Sequence, residues 1–378
     1  MSFEKFSCSV LKECGGCALG LIPYMEQINS KLALTQLNFP QVTPQFHSLG
    51  SHGIRERGDF IIYKNNFCLY SKPNENGQRE LVAVKKCPQL TSRTQLIFEE
   101  LQTLNWPIEK GSIRFREAPA NSNFKAGLWL DFANLDIKIL LTAKELITSL
   151  LENNFYIEVG QKQKRVISVA GQLKLVEPEY FPWSVTYYEG KEVGLFSSVS
   201  SFTQTGSVAS LKFATLLQEV LSQIQAQSIV EFGSGIGTLT IPTLAQGRRV
   251  KCCEFEETAL VSLKKTIEYY NKKYLFSDRV SFLSGNFHKL QSKDLFKDSD
   301  TILVNPPRSG IGDFLKSLDQ IERNQRPLYL IYMSCFIESM KKDSIILDQL
   351  GYQLQKLDVI DQFPQSHHFE LLGLWRIN

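Results

Sequence analysis

The C-terminal half of the chain alternates short, unbroken apolar runs with longer stretches of helical spacing. The runs predict strands at Ser228–Phe232, Arg249–Glu254, Val280–Ser284, Thr301–Asn305, Leu328–Met333, Tyr352–Ile360 and Phe369–Arg376. Runs apolar at every position, with helices between them, predict a Rossmann-like, seven-stranded α/β domain with helices on both faces. Only an Asp-Gln-Phe-Pro turn separates the last two runs. The final strand is therefore expected to run antiparallel, so that it begins on the rim where the parallel strands end.

Upstream the pattern changes. From about Gln41 to Gly190, alternating strand candidates (Asp59–Tyr63, Ser112–Phe115, Val166–Val169) mix with helical spacing at Gln95–Leu104 and Ala143–Leu151, which reads as an α+β domain. Before Pro40 lie a compact group of cysteines and an amphipathic stretch, Ile22–Leu37. The expected division is therefore residues 1–40, 41–190 and 191–378. No internal repeat or low-complexity segment interrupts it.

At 378 residues with 43% hydrophobic content, the chain is long enough for two packed cores. Neither an apolar leader nor a stretch of about 20 apolar residues is visible, so no membrane span and a cytoplasmic location are expected. A net charge of +3 and a pI near 8.3 permit an RNA partner without announcing one. Basic residues gather at Lys162-Gln163-Lys164-Arg165, Gly53-Ile54-Arg55-Glu56-Arg57 and Lys85-Lys86. Each group can neutralise phosphates or be an ordinary solvated loop.

The candidate chemistry collects at the ends of the C-terminal strands. Glu231-Phe232-Gly233-Ser234-Gly235-Ile236-Gly237 sits where a strand meets a helix, and its glycines let backbone approach a ligand. Alone, such a turn serves a dinucleotide, an adenosyl group or nothing at all. Glu254 ends the next strand, where a carboxylate can accept both ribose hydroxyls, and Asn286 follows the one after, placed to meet an adenine. Glu256 and Glu257 read as helix-start carboxylates.

Asn305-Pro306-Pro307-Arg308 ends the fourth strand, and the Asn amide suits the edge of a nucleobase. Amino-group methylation would call for an aromatic residue where Arg308 stands. The fifth strand ends in Met333-Ser334-Cys335, lifting a thiol onto the same rim, and Glu370 opens the antiparallel strand. His367 and His368 lack zinc-like partners, and His368 is read as a hydrogen-bonding support for Glu370.

One thiol, one carboxylate and one methyl donor suffice to methylate carbon 5 of a uracil. A thiolate adds to carbon 6, carbon 5 takes the methyl group, and a base removes the carbon 5 proton. The target base must be unstacked to be reached.

Eight cysteines without a secretion signal point to metal or catalytic use rather than disulfides. Cys8, Cys14 and Cys17, with Cys87 as a fourth, can hold zinc or an iron–sulfur cluster, and the C-x2-C spacing fits zinc slightly better. Cys68, Cys252 and Cys253 are assigned to packing.

With these residues in view, the chain resembles the bacterial and archaeal family of RNA uracil-C5 methyltransferases from Cys8 to its C-terminus. The four cysteines, Ser201-Phe202-Thr203-Gln204, the glycine loop, Asn305-Pro306-Pro307-Arg308-Ser309-Gly310, Ser334-Cys335 and Pro364 to Glu370 occur in the family's order. The resemblance implies S-adenosylmethionine as methyl donor in a methyltransferase domain at 191–378, with Cys335 as nucleophile and Glu370 as base. It implies cofactor contacts at Gln204, Phe232, Gly233, Gly235, Glu254, Asn286 and Asn305. It also shifts Cys8, Cys14, Cys17 and Cys87 from zinc to a [4Fe–4S] cluster. The cysteines imply a ribosomal RNA enzyme, and Asn305 with Gly310-Ile311-Gly312 resembles the 23S rRNA branch that lacks an N-terminal OB-type domain; the partner expected is 23S rRNA, and the chain is expected to be a monomer.

The chain departs from the family's usual pattern at Asn286 and Asn305 (Asp), Phe336-Ile337 (Asn-Pro) and near Gly206 (Asn). Rival readings are a tRNA enzyme, a catalytically silent RNA-binding homologue, or a methyltransferase acting on protein or DNA. A DNA cytosine enzyme would carry its nucleophile in a Pro-Cys pair after the fourth strand. A flavin- and folate-dependent enzyme would carry an N-terminal dinucleotide fingerprint.

Overall fold

The computed structural model describes residues 6–119, 122–131, 143–160, 164–284, 295–296, 298–312 and 314–377. The chain forms two compact units, each discontinuous in sequence. The first comprises Met1–Ile22, Gly50–Ser184 and Phe196–Ser207, and the second Pro23–Leu49, Val185–Leu195 and Val208–Asn378.

The first unit is built on an eight-stranded sheet in the order Leu81–Ala83, Asn66–Tyr70, Arg57–Tyr63, Lys110–Glu117, Ala126–Asp131, Phe155–Val159, Lys164–Val169, Gln172–Val176. Its neighbours are antiparallel except for Ala126–Asp131 beside Phe155–Val159. Helix Ser92–Thr103 begins at Thr91, whose hydroxyl accepts the Thr94 amide hydrogen at 3.1 Å. It lays Ile97, Phe98 and Leu101 onto the sheet, Phe98 stacking on Phe60 at 4.3 Å. Each such side chain contributes roughly 1.5–3 kcal/mol by leaving water.

The second unit carries the expected α/β sheet. Its order is Gln45–Ser48, Tyr352–Asp361, Glu370–Ile377, Tyr329–Ser334, Thr301–Val304, Ser228–Phe232, Arg249–Glu254, Val280–Ser284. All strands are parallel except Glu370–Ile377, which runs against both neighbours. Alternate residues feed two cores, as the period of two requires. Val230, Phe232, Ile302, Val304, Leu330 and Tyr332 pack with helix Ile337–Gln349, while Ile229, Leu303, Ile331 and Met333 pack with helix Ser207–Gln223.

The structure draws the boundaries differently from the expected 1–40, 41–190 and 191–378. Helix Tyr24–Asn38 and strand Gln45–Ser48 join the second unit. The helix is fixed there by a buried ion pair from Lys31 to Asp361, and the strand pairs in parallel with Tyr352–Asp361. The sheet therefore has eight strands rather than seven. Likewise the ribbon of Phe181–Tyr188 and Lys191–Ser197 belongs to the second unit only over Val185–Leu195. Among the described residues no helix is long and apolar enough to cross a membrane.

Candidate active site

Strand direction places the chemistry of the second unit. The antiparallel register pairs Ser334 with Leu371 and Ile360 with Glu370. Cys335, one step past Ser334, thus comes level with Glu370 on the rim where the parallel strands end.

The two groups feel each other. Burial, and then the charge of Glu370, push the Cys335 thiol up, while a hydrogen bond and the positive charge of Arg308 pull it down. Burial lifts Glu370 to about 7, against the opposing pull of a 2.8 Å hydrogen bond from Gln362 and the charge of Arg308. A thiol, a carboxylate poised near neutrality and a guanidinium facing both therefore share one site. Such an arrangement can supply a nucleophile and a proton acceptor together.

The glycine loop lies on the same rim. Gly233, Gly235 and Gly237 all have positive φ, the left-handed conformation that favours glycine. The Gly233 amide is held by Cys253 O at 2.9 Å. The Glu254 carboxylate accepts from the Gly235 amide at 2.7 Å and from the Glu256 amide at 2.8 Å. It is thereby oriented beside the loop, with lone pairs left for a ligand's hydroxyls. Glu256 stands at the N-cap position and Glu257 in the first turn of helix Glu257–Tyr274, carboxylates at a helix start as expected. Asn305 follows strand Thr301–Val304, its backbone N–H donating to Phe232 O at 3.1 Å. Loop, carboxylate and Asn amide together fit an adenosyl-type cofactor.

Other expected residues fall elsewhere. The Phe232 ring is buried against Phe314 at 4.4 Å, so only its backbone faces the loop. Asn286 lies outside the described residues. Gln204 belongs to the first unit, in a segment clamped by arginines: Arg57 donates to Thr203 O, Arg116 to Thr203 Oγ1 and Ser201 O, and Arg114 to Ser200 O. Gly206, where the family usually has Asn nearby, has a local cause: a Cβ there would stand 2.6 Å from Ile54 O.

His368 does not support the base as expected. It is exposed, its ring edge-on to Phe363 at 6.3 Å, and the bond to Glu370 comes from Gln362 instead. Arg308 and Gln362 are thus the site residues that sequence reasoning passed over. Arg308 had a signal, being a lone cation just past the Asn-Pro-Pro turn, whereas Gln362 looked only like part of a turn.

In the first unit, Cys8, Cys14, Cys17 and Cys87 lie near enough to act on one another electrostatically. Burial lifts Cys17 to about 12, and Cys87, Cys14 and Cys8 add to the rise. Burial raises Cys14 and Cys87 as well, and three thiols held protonated in this way suit a cation that would neutralise them together. Among the described residues, however, no three His, Cys, Asp or Glu side chains are closed to metal-ligating distance. Cys68, Cys252 and Cys253 are buried packing residues. The basic runs are partly spent internally: Lys164 pairs with Glu177, Arg165 with Glu179, Lys86 with Glu99 and Arg57 with Asp59, while residues 162 and 163 lie outside the described residues.

Residues 142–377 match the family model described as tRNA (Uracil-5-)-methyltransferase. An RNA methyltransferase of Bdellovibrio bacteriovorus is 34% identical, covering 99% of this chain and 96% of the relative. The chain belongs to the RNA (uracil-C5) methyltransferase family. Another relative of this methyltransferase, a tRNA/tmRNA (uracil-C(5))-methyltransferase of Wolinella succinogenes, is 26% identical over 94% of this chain and 95% of its own. A 23S rRNA (uracil-C(5))-methyltransferase of a Marinomonas strain is 22% identical, over 97% of this chain and 80% of the relative. The fold matches the Pyrococcus abyssi tRNA (uracil-54, C5)-methyltransferase solved with S-adenosyl-L-homocysteine, at TM-score 0.66 and 19% identity, over 96% of this chain and 86% of that one. S-adenosylmethionine-dependent methylation of uracil carbon 5 in RNA is therefore the activity of the family to which this methyltransferase belongs.

Proposed function

We propose that this chain methylates carbon 5 of a uridine in 23S rRNA, acting as a monomer with Cys335 as covalent nucleophile and Glu370 as base. The observation that carries the reading is the meeting of Cys335, Arg308 and Glu370 on the rim that also holds the glycine loop and Glu254.

Carbon 5 of uracil is too weak a nucleophile to take a methyl group unaided. The Cys335 thiolate adds to carbon 6 of the flipped-out base, and the electron pair of the carbon 5–carbon 6 double bond passes toward carbon 5 and oxygen 4. Arg308 favours the thiolate before attack. Asn305, offering both a donor and an acceptor, holds the uracil edge. S-adenosylmethionine, when bound, would supply an electrophilic methyl group to the electron pair on carbon 5, its sulfur keeping the electrons of the broken sulfur–carbon bond and leaving as S-adenosylhomocysteine. Glu370 accepts the carbon 5 proton, the double bond re-forms, and Cys335 leaves as thiolate.

Gly233, Gly235, the backbone of Phe232, Glu254, Asn286 and Asn305 would hold the cofactor. Cys8, Cys14, Cys17 and Cys87 would hold a [4Fe–4S] cluster, supplying metal–thiolate bonds that tie the N-terminal segment to Cys87. Iron and sulfide analysis of protein purified without oxygen, with Cys17→Ser as control, tests that assignment.

The cysteine set and the Marinomonas relative support 23S rRNA, while the Wolinella relative supports tRNA as a second reading. The test offers labelled S-adenosylmethionine with 23S rRNA and with tRNA, both lacking 5-methyluridine. Label in 23S rRNA as 5-methyluridine, abolished by Cys335→Ala and trapped as a protein–RNA adduct by Glu370→Gln, is expected. Label only in tRNA favours the second reading. Cofactor binding with no methylation of any RNA would overturn both in favour of a silent homologue. Sedimentation velocity tests the monomer.

A further inference from the structure

Glu370 is held by a residue from the preceding turn, and that residue is itself held from the far end of the chain. Gln362 Nε2 donates to Glu370 Oε1 at 2.8 Å in a buried contact. The residues flanking Gln362 are tied to helix Tyr24–Asn38. Before it, Asp361 accepts from Lys31 Nζ at 2.8 Å and from Tyr24 OH at 3.0 Å. After it, Gln365 and Gln27 exchange two hydrogen bonds: Gln27 Nε2 donates to Gln365 Oε1 at 2.8 Å, and the Gln365 backbone N–H donates to Gln27 Oε1 at 3.0 Å.

These ties are buried. Lys31 is 3% exposed, Gln27 and Gln365 are each 1% exposed, and Asp361 is fully buried. Burying Lys31 and Gln27 of the helix against Asp361 and Gln365 costs desolvation that an apolar contact would avoid. In return the turn is gripped on both sides of Gln362, whose amide can present a donor to Glu370 only if that turn is fixed.

We propose that Gln362 is a positioning residue for proton removal from carbon 5, and that helix Tyr24–Asn38 is the clamp that keeps its amide on Glu370. The proposal rests on the reading of Glu370 as the base. A carboxylate with one oxygen occupied by a fixed donor is restricted in rotation, leaving its other oxygen to accept the proton. The same hydrogen bond stabilises the ionised form, the one that can act as a base. Among the described residues, Arg308, which also favours ionisation, and Cys335 act on Glu370 as well.

The experiment uses the full-length protein with Gln362→Met, which keeps the volume and removes the donor, alongside Glu370→Gln. A lost hydrogen bond to a charged group lowers the rate by about 10- to 100-fold. The expected result for Gln362→Met is a kcat reduced in that range, KM for RNA within about twofold, accumulation of the protein–RNA adduct, and an acid limb of the kcat profile moved to higher pH. A purely structural role would lower thermal stability without moving that limb or trapping adduct. Gln362→Glu, also close in size, takes the place of Gln362→Met if the latter does not fold; it should move the limb further, since it sets a second carboxyl against Glu370.

If Glu370→Gln traps adduct while folded Gln362→Met keeps the wild-type rate and pH profile, the positioning role is wrong and the base stands. If Glu370→Gln neither traps adduct nor slows turnover, the base reading falls and the positioning role with it.

Discussion

Gly233 faces the backbone of Asn305 so closely that a Cβ on Gly233 would lie 2.6 Å from the Asn305 carbonyl oxygen. With φ at 76°, the position also strains any L side chain. Gly233→Ala must push the glycine loop away from the Asn305 turn. We expect a loss of about 1–3 kcal/mol in stability, measured by urea denaturation, and a tenfold or greater loss of S-adenosylmethionine affinity, measured by calorimetry. Wild-type affinity in a folded variant would show that the loop does not form the cofactor site.

Glu370 gives the enzyme an acid limit. Held at about 7 mainly by burial, it is increasingly protonated as pH falls below neutrality, so kcat should drop about tenfold per unit well below pH 7. Stability runs the other way. The folded chain retains a proton that the unfolded chain releases above about 4.5, so this group's contribution falls as pH rises from 4.5 to 7. Glu370→Gln, which cannot ionise, should be more stable than the wild type at pH 8 by up to about 3 kcal/mol. The two should converge at pH 4, and chemical denaturation at both pH values reads the difference.

Lys31→Met should be among the most damaging substitutions away from the rim. It leaves the Asp361 carboxylate in the interior without its cation, for which about 3–5 kcal/mol is expected. Tyr24 OH and the Phe363 amide, at 3.3 Å, still bond to Asp361 and blunt the loss. Lys31→Met combined with Asp361→Asn removes both charges and should recover part of the stability, a sign of coupling that a thermal double-mutant cycle reads directly.

Arg308 acts on nucleophile and base together, pulling Cys335 and Glu370 in the same direction. Arg308→Ala should therefore move both apparent ionisations upward. Adduct formation by Glu370→Gln as a background, followed against pH, isolates the thiol: with Arg308→Ala added, its midpoint should rise. Arg308→Lys keeps the charge and should fall between the two. An unmoved midpoint would deny Arg308 a part in forming the thiolate.

Much of this site was legible because buried parallel strands leave unbroken apolar runs, and a rim residue is simply the one that ends the run. Ser334-Cys335 and Glu254 were found that way. Glu370 required one further step, that a strand with no intervening helix must return antiparallel, and the register bears this out. Gln45–Ser48 was illegible because its burial comes from a single neighbour, and four residues hold too little pattern to declare a strand. Lys31 looked like the polar side of an amphipathic stretch, since only the fold supplies Asp361. His368 was read as support for the base by residue type, yet the Gln362 amide, buried beside Glu370, makes the bond without titrating.

The partners Lys31 and Asp361 lie 330 positions apart. At about 5–20 residues per second, a ribosome needs between roughly 15 seconds and a minute to make the stretch that separates them. The first unit, most of it the single stretch Gly50–Ser184, can close its core well within that interval. Helix Tyr24–Asn38 meanwhile waits with a lysine it cannot yet bury, and strand Gln45–Ser48 waits without the strand it pairs with. Strand Glu370–Ile377 completes the sheet, recruits these early elements and brings Glu370 level with Cys335, so a nascent chain acquires its proposed catalytic pair only after both early elements have waited through nearly all of the intervening synthesis.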